Sequence, residues 1–329
     1  QIQSLSQVQV NALTANQIAA LSTDQVAAIE TEDFATFNKS QIQALTSDQA
    51  ANLTVDQING LSHAQIAAFE TEDLAAITTS NIAALSTGQL TAMSNFQLSN
   101  LTEDQIAAIE TQDLAALNNS QLGALQTQQF AALTSDQVSN LTLKQVAAIP
   151  TADLNALGTT LLQAMTTAQV TALSTAQVVA MTTSQVASLS AAQVKGMSTD
   201  QVKALSSTQV QGITNAGLNA LTTAQVAVLS TGQVSSLTAA QVAGLSTGTL
   251  QSLSTTHVAA LTDTQVKALT TTEVAAMTTA QVKALTTSQI SVMSTDDILA
   301  LGTAQVSALT TSQLQAMNQA QVRTLESAE

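Results

Sequence analysis

Apolar residues return every eight positions from Ser6 to Leu325, with no insertion or deletion in the frame. The recurring unit reads [S/T]-x-x-Q-[V/I/L]-x-A-[L/I/M]. Octad position 8 is Leu, Ile, Met or Phe in all forty units, and position 5 is aliphatic or Phe in every unit but the one holding Ala50. Position 1 is Ser or Thr in thirty of the forty, position 4 is usually Gln, and position 7 is nearly always small. The residues before Ser6 fit the tail of a further octad, and those after Leu325 fit the start of another. The whole chain, 1–329, is therefore expected to be one continuous octapeptide-repeat solenoid, with forty full octads at 6–325, cut from a longer array.

Neither regular continuous structure accepts this spacing. A strand has period two, so apolar residues three apart would lie on opposite faces. In an unbroken helix, eight residues overshoot two turns by about 80°, and the apolar stripe would wind away from any single core. The chain must break once per octad, and position 1 supplies the break. Ser or Thr there is a good N-cap, and Gln three residues later completes a capping box. The preceding Leu and the following Val stand at the two staple positions, as in Leu173-Ser174-Thr175-Ala176-Gln177-Val178. Charges agree: most acids lie at positions 1 to 4, and Lys195, Lys203, Lys267, Lys283 and Arg323 at position 6, the polarity the helix dipole favours. Each octad is thus predicted to be one short capped helix. Its two aliphatics contribute roughly 3–6 kcal/mol on burial, against roughly 8–16 kcal/mol to order eight residues. Only stacking closes that gap, so the predicted fold class is all-α, an α-solenoid or superhelix in which each unit completes its neighbour's core.

A longer period overlies the octads in the first half. Glu30-Thr31-Glu32-Asp33, Glu70-Thr71-Glu72-Asp73, Glu110-Thr111-Gln112-Asp113 and Pro150-Thr151-Ala152-Asp153 recur every five octads. One expectation is that about five repeats make one superhelical turn. The other is duplication in five-octad blocks with no geometric meaning.

Composition removes most chemistry. The chain has no Cys, no Trp, no Tyr and two His, so Cys/His metal cages are excluded. The net charge of -15, with 22 acids and 7 bases, is unsuited to nucleic acid. Mean hydropathy is +0.22, but the longest apolar runs are four residues, and no membrane insertion is expected. Acids concentrate before residue 158, where Glu30, Glu32, Asp33, Glu70, Glu72, Asp73, Glu110 and Asp113 are the calcium candidates if the clusters stack into a ladder. Against that stand the first-turn capping role of acids and the lack of an Asp-rich loop. His63 and His257 read as surface substitutions. Repeated hydroxyls are caps, and no nucleophile elbow or phosphate loop occurs, so no enzyme activity, catalytic residue or cofactor is expected.

Over all forty octads the chain resembles the low-complexity octapeptide arrays, of the L-T-T-A-Q-V-A-A-L kind, in very large bacterial surface or secreted adhesin-like proteins. That resemblance implies an extracellular or cell-surface location and a structural role as stalk, spacer or filament shaft, with self-association into fibres or bundles. The alternative is a solenoid scaffold that binds a protein partner along its surface.

Overall fold

The structure, a computed structural model, describes residues 1–326. Among them every regular element is helical: a short 3-10 turn, Ile2–Ser4, and then one α-helix in each of the forty octads. The chain packs into two compact units, Gln1–Met165 and Thr166–Glu329.

The octad Ser174–Met181 shows how one unit is made. Ser174 is extended (φ -69°, ψ 158°) and caps the helix Thr175–Ala180. Its hydroxyl accepts from the Gln177 N–H at 3.2 Å, while Gln177 Oε1 accepts from the Ser174 N–H at 2.7 Å. The helix ends where the Met181 N–H donates to the Val178 carbonyl at 3.2 Å. Met181 is itself extended (φ -61°, ψ 140°), as is the next cap, so two successive extended residues turn the corner. No described residue has positive φ, and the corner needs no glycine. Positions 5 and 8 form the core: Val178 and Leu173 are both buried.

Stacking runs between octads three and four apart. In the first unit the helix Ser47–Ala51 packs on Thr71–Ala76, and Thr127–Ala131 on Thr151–Ala156. In the second, Thr183–Ser188 packs on Ser207–Gly212, and Ala191–Gly196 on Asn215–Ala220, each three octads on. Asn215–Ala220 also touches Thr247–Ser252, four octads on. A coil in either unit therefore closes after three to four octads. The expectation of about five repeats per turn is corrected. Blocks five octads apart do not lie over one another, so the longer period is a matter of sequence duplication.

Position 7 is small because of this stacking. A Cβ on Gly212 would sit 2.9 Å from both the Cγ2 and the backbone oxygen of Thr183, position 2 of the octad three back. On Gly196 it would run into Thr167 Cγ2.

Candidate functional site: the position-4 ladder and the acidic octads

Position 4 carries the most structured chemistry in the molecule. Its Gln side chain does two jobs with two ends. In the first unit Gln57 Oε1 accepts from the Thr54 N–H at 3.0 Å, completing its own cap. Its Nε2 donates backward, to the carbonyls of Val26 and Ile29 in the octad four back, each at 2.9 Å. In the second unit Gln209 repeats the pattern, Oε1 on the Ser206 N–H at 2.8 Å and Nε2 on Val178 O at 2.9 Å and Met181 O at 2.7 Å. The acceptors are positions 5 and 8 of that earlier octad. The position-8 carbonyl is left unpaired by its helix, and the position-5 carbonyl, which already accepts from the position-8 N–H, takes the Gln on its second lone pair. Gln57 is 1% and Gln209 3% exposed, so each amide lies between coils with both ends satisfied.

The requirement for Gln is chemical. A Glu could close the capping box equally well, but it has no N–H to donate. The near-uniform choice of Gln over Glu was the sequence signal for this ladder, and a reading through the capping box alone passes over it.

The exceptions test the rule. Asn81 is one methylene shorter, and its Nδ2 reaches one carbonyl, Leu53 O, at 2.7 Å. His257 is only 4% exposed, which corrects its reading as a surface substitution. Its Nδ1 accepts from the Ser254 N–H at 3.3 Å and its Nε2 lies 2.8 Å from Leu229 O. The neutral tautomer with hydrogen on Nε2 reproduces a Gln, acceptor at one end and donor at the other. His63, at position 2, is exposed as expected. Glu273 closes its box through Oε2, 2.7 Å from the Thr270 N–H, and its Oε1 is buried with no hydrogen-bond partner. The oxygen takes the place where neighbouring octads put an amide.

The calcium candidates are not brought together. No group of three or more His, Cys, Asp or Glu among the described residues is placed to hold a metal ion. Glu30, Glu70 and Glu110 occupy N-cap positions without a side-chain cap bond, so the capping role expected of these acids is not taken up there. Glu32 and Glu72 are exposed. Three of the position-4 aspartates, Asp73, Asp113 and Asp153, instead accept from hydroxyls three octads back, on position 2. Ser47 Oγ donates to Asp73 at 2.9 Å and Thr127 Oγ1 to Asp153 at 2.7 Å, and Thr87 donates likewise to Asp113. Asp33, in the first of these octads, is half-buried. Burial pushes the Asp73 carboxyl above the usual carboxylate range; the Ser47 hydroxyl works against that rise, and Glu70 and Glu72 add to it. A five-octad repeat in a coil of three to four octads cannot align these clusters into a ladder.

What remains open to solvent is shallow. A polar groove of about 600 Å³ in the first unit is lined by residues that include Asn100, Glu103, Asp104 and Gln129. No described helix is long and apolar enough to cross a membrane. In the first unit the exposed apolar side chains Val8, Val55, Phe96 and Leu143 lie at positions 2 or 3 of octads five or six apart, spacings the coil does not stack; in the second, Val179 stands apart and Leu299, Leu314 and Val322 sit on the last four octads.

In comparison with known families, the ALTTAQ repeat matches residues 26–63, 66–103, 106–143, 146–183, 178–215, 210–247, 266–295 and 290–327. The first four matches start five octads apart, and the later ones at other multiples of eight. The octad is the constant frame, and the five-octad block belongs to the first half alone. No curated protein matches the chain.

Proposed function

The chain belongs to the ALTTAQ repeat family, and from that premise we propose that it is a structural spacer of an extracellular or cell-surface bacterial protein, holding other parts of that protein apart. It has no catalytic role in this reading. One observation carries the proposal: the hydrogen bonds that join coils come from the repeat itself. A position-4 Gln binds carbonyls of the octad four back, so any octad added in frame brings its own attachment. Length is then adjustable without redesign, the property a spacer needs and a binding site does not. Among the described residues, positions 2, 3 and 6, which vary most, are mainly exposed and polar and gather no apolar patch of the kind that marks a partner site.

The test is antibody labelling of the array in intact and lysed cells of its source, combined with array-length variants. Labelling on intact cells, and a reach that shortens as octads are removed, is the expected result. An array reached only after lysis would overturn the location. A partner protein that binds equally after half the octads are deleted would favour the scaffold.

A further inference from the structure

We propose that octads 19 and 20, residues 150–165, are a built-in yielding point at which the array opens before its fully bonded octads do. The proposal rests on a coincidence of missing bonds. In octad 19 the cap position is Pro150, which has no side-chain donor or acceptor, and position 4 is Asp153. In octad 20 the cap position is Gly158, also without a side-chain cap, and position 4 is Leu161. Among the described residues this is the one place where two successive full octads both lack a side-chain cap bond. Asp153 retains its bond from Thr127, three octads back. Leu161 has no polar atom in its side chain, so octad 20 has neither box nor backward rung. By the ladder's spacing, the carbonyls a Gln at 161 would serve are Phe130 O and Leu133 O, in octad 16.

The missing cap of octad 20 is not forced by crowding. A Cβ built on Gly158 meets nothing within 4 Å, so a Ser or Thr would fit there. The contrast lies in residues 166–213, where six successive octads all carry complete boxes. Helices of one and a half turns have little stability of their own, so the loss of both cap and rung falls directly on the local opening equilibrium.

Hydrogen exchange of the intact chain, read by mass spectrometry, tests this. Peptides within 150–165 are expected to exchange at least about tenfold faster than those within 174–205, the ratio that the loss of one or two caps produces. The rebuilt variant Gly158→Thr with Leu161→Gln is expected to slow exchange across 158–165 and also at Phe130 and Leu133, whose coil it would rejoin. Should Leu161→Gln disturb the core, Gly158→Thr alone still reports on the cap. Equal exchange of the two regions in the native chain overturns the proposal, as does a rebuilt variant that folds but leaves 150–165 as fast as before. The proposal concerns opening order only, so it stands or falls independently of where the protein works.

Discussion

At the scale of the residue, the position-4 side chain decides more than the aliphatics around it. Two substitutions of opposite direction test its double role. Gln209→Glu keeps the cap bond from Ser206 but places an oxygen against Val178 O and Met181 O, and is expected to cost at least about 2 kcal/mol in chemical denaturation. Glu273→Gln should do the reverse, giving a donor to an oxygen site that is buried and unpartnered, and raise stability by about 1–3 kcal/mol. If the two exchanges move stability the same way, the ladder is not the stabilising feature. Asp73 adds a pH dependence. Its proton is held more tightly in the folded chain than in the unfolded one, because burial disfavours the carboxylate. Such a group stabilises the fold fully at low pH, and that contribution falls away as pH rises through the carboxylate range and above it. Asp73→Asn keeps an acceptor for Ser47 and removes the charge. It should therefore be more stable than the natural chain near neutral pH, with the difference shrinking as the pH is lowered toward about 4.

Element-scale behaviour follows from how short each helix is. A helix of five or six residues cannot persist alone, and its boundaries are set by the cap at position 1 and the extended residue at position 8. Its face toward the next coil is set by position 7. Gly212→Ala would ordinarily gain helix propensity, yet the added Cβ meets the backbone oxygen of Thr183 at 2.9 Å, which cannot rotate away. Thermal unfolding is expected to show a net loss of about 1–3 kcal/mol, the usual effect of overpacking. A neutral or stabilising result would mean the two helices part without cost.

For the molecule as a whole, register governs. Deleting one octad, such as 182–189, leaves every later Gln four octads from an equivalent carbonyl, so the chain is expected to keep its helical circular dichroism and melt with similar sharpness. Deleting only 182–185 puts the remainder half an octad out of step with its earlier coil, and both helix signal and cooperativity should fall. Equal tolerance of both deletions would show that coils are joined by apolar contact without register.

Much of this was legible in the residues themselves. The eight-residue period, the cap at Ser174, the box at Gln177 and the paired Leu173 and Val178 required a helix in every octad, because a period of eight fits neither strand nor continuous helix. The small residue at position 7 announced close approach. What local chemistry could not supply was the identity of the neighbour. Whether octad n meets n+3, n+4 or n+5 depends on the corner angle summed over several helices, and a small error in one corner moves the contact by a whole octad. Tertiary structure therefore decided that the coil closes in three to four octads, that Glu30, Glu70 and Glu110 do not stack, and that Asp73 turns to Ser47. It also decided that the second end of each position-4 Gln with a coil before it, and with it the burial of His257, is spent on joining one coil to the last.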